Sequence, residues 1–197
     1  MLVLASASPR RQELLRNAGI PFAVHPTQIA EIPNSAEAPQ AFAERMAKEK
    51  AQTVLRQRPA DVILGADTVV VVDDQILGKP TDQSDAARML RLLSGRTHTV
   101  ITAVCLLRTE NPELRTGFCD IRSETTLVRM DVLTDRDIAN YAVSDEPMDK
   151  AGAYAIQGRA SRWISRIEGD YFNVVGLPVA LVIRMLREHG IPIDEKH

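Results

Sequence analysis

The chain has 197 residues, of which 45% are hydrophobic and 25% charged, the composition of a globular protein that can bury a core. Its net charge of −2 provides no basic excess for binding along a nucleic-acid backbone, so no nucleic-acid partner is expected. No stretch approaches the roughly 18 apolar residues of a membrane span, and the short apolar run after Met1 does not resemble a signal peptide. We therefore expect one cytoplasmic domain over residues 1–197, without a linker and without membrane contact.

The two cysteines, Cys105 and Cys119, lie in segments that are typical of strands. They have no C-x-x-C spacing and no nearby cluster of histidines. Neither a zinc site nor a disulfide is expected, which agrees with a reduced cytoplasmic compartment.

The first element pair is a strand followed directly by a helix. Leu2–Ala5 is a short apolar run typical of a buried strand, and Ser8-Pro9 predicts a helix start, with Gly19 as its end. Free N–H groups at a helix start after a strand favour an anion, and Arg10 and Arg11 add donors suited to phosphate. The alternative is a capped surface helix whose arginines are solvated.

A short strand at Phe22–Val24, a polar loop at Pro26–Pro39 and a helix at Gln40–Gln57 are predicted next. The loop contains one isolated acid, Glu31. The apolar stripe of the helix comprises Ala43, Ala47, Ala51, Val54 and Leu55. The other face is charged and is predicted to be mostly solvated; it carries Arg45, Lys48, Glu49 and Lys50.

The segment Asp61–Asp74 contains two β-branched runs, Val62–Leu64 and Val69–Val72, on either side of Gly65–Thr68. An aspartate in a central strand is costly unless it is paired or binds a metal, which makes Asp67 a candidate functional residue. The alternative is that Asp67 is a structural cap in a strand break.

The remaining elements alternate between strand and helix. In chain order they are a hairpin arm at Ile76-Leu77, a helix at Gln83–Leu93 capped by Asp82, a strand at Thr97–Leu107, a turn at Asn111-Pro112, strands at Gly117–Ile121 and Glu124–Val132, a helix from Thr134 to Ala142, a hairpin that joins Trp163–Ile167 to Tyr171–Val175, and a helix at Val179–His189. This order predicts an α/β fold with a mixed central β-sheet flanked by helices.

Together the chain offers the groups that phosphoryl-transfer chemistry needs. These are a helix start for an anion, the cations Lys50 and Lys79, and the acids Glu31 and Asp67 for a divalent metal or for activation of water. The phosphate-binding motif G-x-x-x-x-G-K-[ST] is absent, and so are G-x-G-x-x-G and G-x-S-x-G.

Eight segments, in family order and over nearly the whole chain, resemble the Maf-type nucleoside triphosphate pyrophosphatases. They are LASASPRR at 4–11, the lone Glu31, AKEKA at 47–51, LGADTVV at 64–70, GKP at 78–80, LSGRTHTVITAV at 93–104, SDEPMDKAGAYAIQG at 144–158 and GDYFNVVGLPV at 169–179. The combination of SPRR, GADT and DKAGAYAIQG resembles the branch that hydrolyses dTTP and UTP, rather than the 7-methyl-GTP branch.

The resemblance implies two lobes with a substrate cleft between them, hydrolysis of a nucleoside triphosphate to monophosphate and pyrophosphate, a divalent cation (Mg²⁺ or Mn²⁺) and often a homodimer. Asp67 matches the family's proton acceptor. The positions associated with base selectivity are Arg10, Thr68 and Gln157. The polar positions around the triphosphate and the metal are Ser6, Arg11, Glu31, Lys50 and Lys79. The loop Gln28–Glu31 departs from the family's acid-rich form and lacks one carboxylate.

Some alternatives stay open at this point. Glu31 and Asp67 are the candidate metal ligands, but a carboxylate held tightly by a metal is a poor base, so the two roles of Asp67 compete. Lys150 is either a phosphate ligand or a partner of Asp149 or Glu146. The rival functions are a non-catalytic nucleotide-binding regulator linked to septum formation and a phosphohydrolase that releases orthophosphate from monophosphates or sugar phosphates.

Overall fold

A computed structural model of the chain describes residues 1–109 and 117–193. The strands are β1 (Leu2–Leu4), β2 (Ala23–Val24), β3 (Val62–Val72), β4 (Gln75–Leu77), β5 (Thr97–Arg108), β6 (Phe118–Met130) and β7 (Ile164–Glu168). The helices are α1 (Pro9–Asn17), α2 (Pro39–Leu55), α3 (Gln83–Leu93), α4 (Asp135–Ala142), α5 (Tyr171–Val175) and α6 (Val179–Glu188), with short 3₁₀ turns at Ala151–Ala153 and Arg159–Trp163. Among the described residues, no helix is long and apolar enough to cross a membrane.

The strands form one mixed sheet in the order β2-β1-β3-β5-β6-β7, and β4 pairs with β3. β1 is parallel to β2 and to β3. β4 runs antiparallel to β3, and β7 runs antiparallel to β6. The predicted α/β class with a mixed central sheet is confirmed. The predicted turn at Asn111-Pro112 lies outside the described residues.

The chain divides into two compact units. Unit 1 comprises Met1–Asp67, Thr102–Glu124 and Gly176–His197, and unit 2 comprises Thr68–Ile101 and Thr125–Val175. The strands β3, β5 and β6 each contribute residues to both units.

Unit 1 is built around β1, β3 and the helices α1 and α2. The predicted start of α1 is confirmed, because the Ser8 side chain caps the helix and accepts a hydrogen bond from the Arg11 N–H. Gly65 on β3 lies where α2 comes closest, since a Cβ added there would be 2.1 Å from the Ala47 carbonyl oxygen. The glycine therefore permits the close approach of α2 to β3.

Unit 2 contains α3 and α4, whose predicted caps are confirmed. The Asp82 carboxylate accepts from the Asp85 N–H, and Thr134 forms a capping box with Asp137. In the same unit His98 is buried, and its Nε2 atom lies 2.7 Å from the hydroxyl oxygen of Tyr154.

The alternative of a strand break at Asp67 is excluded, and the break predicted within residues 117–132 is wrong. β3 runs without a break through Gly65–Thr68, because Asp67 is paired inside the strand and does not cap its end. The two strands predicted over 117–132 form the single strand β6. The polar residues at its middle bind neighbouring side chains instead of forming a turn, as in the hydrogen bond from the Ser123 hydroxyl to the Glu44 carboxylate.

The predicted hairpin at Glu168–Asp170 is also wrong, because Tyr171–Val175 is the helix α5. The Asp170 carboxylate accepts from the Phe172 N–H at 2.8 Å, as at a helix start. Within the helix, the fully buried Asn173 amide donates to the Val100 carbonyl and to the Thr126 hydroxyl, each at 3.0 Å. These buried hydrogen bonds override the strand preference of the aromatic and β-branched residues.

Candidate functional site

The candidate site in unit 1 centres on Lys50, whose ammonium lies between two carboxylates. Its Nζ atom is 2.6 Å from Oε1 of Glu31 and 2.6 Å from Oδ1 of Asp67. Lys50 and Asp67 are buried, whereas Glu31 is exposed in the loop between β2 and α2. An acid–lysine–acid cluster thus extends from the interior of the unit to its surface.

Lys50 was predicted on the charged face of its helix, and that prediction is wrong. The buried face of α2 comprises Phe42, Ala43, Met46, Ala47, Lys50, Ala51 and Val54. Positions 43, 47, 50 and 54 recur with helical spacing, so the sequence contained the signal that Lys50 interrupts an apolar stripe. A lysine on such a stripe is rarely buried without a partner, and here two acids supply it.

The environment of Asp67 alters its acidity. Burial raises the pKa of Asp67, while the positive charges of Lys50 and Arg11 oppose this rise, and the net direction is upward. A carboxylate whose pKa lies above the ordinary range is closer to the acidity that suits a general base near neutral pH.

Arg11 is buried and uses its guanidinium to hold backbone in place. Its Nε donates to the Gly176 carbonyl at 2.8 Å, and its Nη1 donates to the Ala66 carbonyl at 2.8 Å. Burial lowers the pKa of Arg11, although an arginine stays charged. Because Ala66 directly precedes Asp67, the hydrogen bond from Arg11 to Ala66 connects the start of α1 to the part of β3 that contains Asp67.

Ser6 connects this arginine to the helix start. Its hydroxyl oxygen accepts from Arg11 Nη1 at 3.3 Å and from the Ser8 N–H at 3.2 Å. Ser6 is itself buried. Neither Ala66 nor Gly176 was predicted as part of the site. Both contribute a backbone carbonyl, which every residue has, so the amino-acid sequence gives no signal for it.

The structure brings together one group of the predicted site residues in unit 1, namely Ser6, Arg11, Glu31, Lys50 and Asp67. Arg10 is half-buried in the first turn of α1 of the same unit. The other three belong to unit 2: Thr68 follows Asp67 on β3, Lys79 is exposed after β4, and Gln157 is exposed in a turn. Lys150 contacts the Asp149 carboxylate and the Glu146 carbonyl.

The described residues contain no group of three or more histidine, cysteine, aspartate or glutamate side chains that could hold a metal ion. Cys105 and Cys119 are free thiols. Two carboxylates, those of Glu31 and Asp67, do converge on the ammonium group of Lys50. Mg²⁺ is commonly bound by one or two carboxylates, with water and substrate phosphates as its other ligands, so this donor set fits such an ion.

Comparison with known proteins shows the family to which the chain belongs. A family model described as "Maf-like protein" matches residues 1–189, and the chain belongs to the Maf family. It is 52% identical over 190 residues to a Koribacter versatilis protein named dTTP/UTP pyrophosphatase, covering 96% of this chain and 95% of the relative. A Symbiobacterium thermophilum protein of the same name is 49% identical over 192 residues, with 98% and 95% covered.

A solved structure also resembles the fold. The Ham1 protein of Staphylococcus aureus superimposes with a TM-score of 0.51 at 11% identity, over 95% of this chain and 98% of that chain. At this identity the likeness concerns the fold alone, and it agrees with the mixed α/β architecture.

Proposed function

We propose that the protein hydrolyses dTTP and UTP to the monophosphates and pyrophosphate, in a house-cleaning role for the nucleotide pool that can extend to modified pyrimidine nucleotides. The observation that carries this proposal is the buried Asp67 carboxylate, held 2.6 Å from the Lys50 ammonium and shifted upward in pKa. The relatives named dTTP/UTP pyrophosphatase, which this chain matches over nearly their full length, support the substrate class.

In the proposed reaction, Asp67 accepts a proton from water as the water oxygen attacks the α-phosphorus. The bond between the α-phosphorus and the bridging oxygen breaks, and pyrophosphate leaves with the electron pair of that bond. Positioned general-base catalysis of this kind typically contributes about 10²–10⁴-fold to the rate. Lys50 keeps the Asp67 carboxylate in place, and Arg11 holds the backbone that precedes it.

Phosphate binding is assigned to Ser6, Arg11, Lys50 and Lys79. Because Asp67 serves as the base in this reaction, a divalent cation, Mg²⁺ or Mn²⁺, would be held tightly by Glu31 and only weakly by Asp67. When bound, it neutralises charge on the phosphate oxygens. The ammonium of Lys50 already offsets part of the charge of both carboxylates, which keeps them together in the absence of the cation.

Base selectivity is assigned to Arg10, Thr68 and Gln157. Thymine and uracil differ by one methyl group, which is worth about 1–3 kcal/mol in a pocket, so acceptance of both is physically reasonable. Cytosine reverses donor and acceptor on the edge that an amide reads, and the mismatch leaves polar groups unpaired. A glutamine such as Gln157 can therefore reject cytosine more strongly than it separates thymine from uracil.

We further propose that the protein acts in the cytoplasm as a homodimer without a nucleic-acid partner. The balanced charge of −2 supports the last point. Light scattering coupled to gel filtration measures the oligomeric state directly, and a mass of one chain contradicts the dimer.

The experiment that tests the activity is product analysis with the purified protein, Mg²⁺ and a panel of ordinary and modified nucleoside triphosphates. We expect pyrophosphate with TMP or UMP, and little turnover of CTP. Release of orthophosphate indicates a different phosphohydrolase. Tight nucleotide binding without turnover indicates the non-catalytic regulator.

A further inference from the structure

We propose that Tyr141 and Glu146 form a clamp that fixes the turn carrying Gln157, and that they are positioning residues for base selectivity. The proposal deepens the proposed function and rests on it, because it assigns a role to residues that support the base-reading side chain. All residues of the clamp and the turn belong to unit 2.

The turn comprises Ala155–Gly158. The Gly158 N–H donates to the Ala155 carbonyl at 3.0 Å, which closes a four-residue turn. Of its two central residues, Ile156 is buried and Gln157 is exposed. The buried side chain of Ile156 therefore fixes the turn to the protein interior, while the side chain of Gln157 remains accessible.

The clamp binds the chain on both sides of Gln157. The Ala155 N–H donates to the Tyr141 hydroxyl oxygen at 3.1 Å, and this hydroxyl donates to Oε1 of Glu146 at 2.7 Å. The other carboxylate oxygen of Glu146 accepts from the Arg159 N–H at 3.1 Å. One tyrosine and one glutamate thus hold the backbone two residues before and two residues after Gln157.

The fit between clamp and turn is tight. A Cβ added to Gly158 would be 2.2 Å from Oε1 of Glu146, so a side chain at this position would displace the carboxylate. The clamp is itself fixed, because Tyr141 is 1% exposed and packs edge-on against Trp163, with ring centroids 5.4 Å apart. The Lys150 ammonium also donates to the Glu146 carbonyl at 2.6 Å.

A glutamine amide distinguishes uracil from cytosine only if its carbonyl and its NH₂ group face the correct atoms of the base. An exposed side chain on a loose turn cannot maintain that orientation, whereas rigid support keeps a binding group in its productive geometry. The clamp supplies this support without requiring that Tyr141 or Glu146 touch the nucleotide.

The test uses Tyr141→Phe, which removes the hydroxyl and keeps the ring that packs on Trp163. We expect the ratio of kcat/KM for UTP to that for CTP to fall on the order of tenfold, comparable with the loss of one hydrogen bond. The change is expected mainly in KM for UTP, with a smaller effect on kcat. Tyr171→Phe, the same change at an exposed tyrosine, is the matched control and should leave the ratio unchanged.

A double-variant cycle separates positioning from a general structural effect. If Tyr141 acts through Gln157, Gln157→Ala lowers the ratio by itself, and adding Tyr141→Phe lowers it no further. Glu146→Gln, which replaces one acceptor oxygen by a donor, should reproduce the effect of Tyr141→Phe if the latter variant folds poorly. An unchanged ratio in both clamp variants overturns the proposal, and so does an additive fall in the double variant or a Gln157→Ala variant with wild-type selectivity.

The clamp can also be tested without catalysis, by measuring the binding of the non-hydrolysable α,β-methylene analogues of UTP and CTP. Failure of the clamp proposal can then be distinguished from failure of the proposed reaction. A wild-type protein that releases no pyrophosphate contradicts the proposed function. The ratio of the two dissociation constants, measured in the same set of variants, still supports or overturns the clamp.

Discussion

The Lys50 ammonium lies 2.6 Å from the Asp67 carboxylate, and the two side chains are only 9% and 7% exposed. The Asp67 charge is therefore compensated by Lys50, and the Lys50 charge by Asp67 and Glu31, rather than by water. Removing one partner of such a pair leaves an uncompensated buried charge, which costs more than the intact pair contributes. Substitutions at these two positions should consequently change both stability and activity, in different ways.

Asp67→Asn should lose about 10²–10⁴-fold in the rate of pyrophosphate release, since it removes the proposed base. The fold should persist, because the asparagine oxygen can still accept from Lys50 and Glu31 still compensates the ammonium. Initial rates at saturating UTP and a thermal unfolding curve measure the two effects separately.

Asp74→Asn is the matched control for this substitution. Asp74 is exposed in the turn between β3 and β4 at φ 59, a conformation that asparagine also tolerates. Its rate should equal that of the wild type. A near-wild-type rate for Asp67→Asn excludes Asp67 as the base.

Lys50→Met should shift the acid limb of the pH–rate profile to higher pH. The positive charge of Lys50 lowers the pKa of Asp67, so its removal raises that pKa, and Asp67 stays protonated up to a higher pH. Because the substitution leaves the buried Asp67 without the charge of Lys50, it should also lower the free energy of unfolding by up to about 3–5 kcal/mol. The profile of kcat/KM against pH is the measurement.

Lys48→Met serves as its control, since Lys48 lies on the same helix outside the buried face. The acid limb should remain in place in this variant. If Lys50→Met also leaves the limb unmoved, then Asp67 is not the group whose titration limits the rate at low pH.

Much of the fold could be predicted because its local signals agree with the tertiary structure. Ser8, Asp82 and Thr134 each cap a helix where the sequence placed one. The helix α5 was missed because Asp170 also suits a hairpin turn. The hydrogen bonds that stabilise the helix instead are donated by Asn173 to Val100 and Thr126, which are distant in sequence.

The site could be predicted as a set of residues but not as an arrangement. Glu31 and Asp67 lie 19 and 17 residues from Lys50, and no spacing rule joins three elements of this kind. Arg11 was expected to bind phosphate through its side chain. Its hydrogen bonds to backbone carbonyls, Ala66 and Gly176, could be found only from the folded chain.

Gly65→Ala should destabilise the protein strongly. The new Cβ would be 2.1 Å from the Ala47 carbonyl oxygen, so α2 must move away from β3. Overpacking typically costs about 1–3 kcal/mol, and a clash with backbone belongs at the upper end of that range. Gly78→Ala is the control, because nothing lies within 4 Å of a Cβ at that position. Equal denaturation midpoints for the two variants contradict the close approach of α2.

His98 should make the stability of the protein depend on pH. Burial lowers the pKa of His98 from 6.5 to about 4, so between these values the unfolded chain binds a proton that the folded chain does not. The contribution of neutral His98 is fully present above pH 6.5 and is lost as the pH falls towards about 4. Over this window the loss amounts to about 3 kcal/mol, at about 1.4 kcal/mol per pH unit.

Two variants separate this titration from the hydrogen bond between His98 and Tyr154. His98→Leu removes the titrating group. The slope of its free energy of unfolding against pH, measured by denaturant titration, should therefore be smaller than that of the wild type by the equivalent of about one proton. Tyr154→Phe removes the same 2.7 Å hydrogen bond but keeps the buried imidazole. It should lower stability at every pH while retaining the wild-type slope. If His98→Leu shows the wild-type slope, the proton uptake belongs to another group.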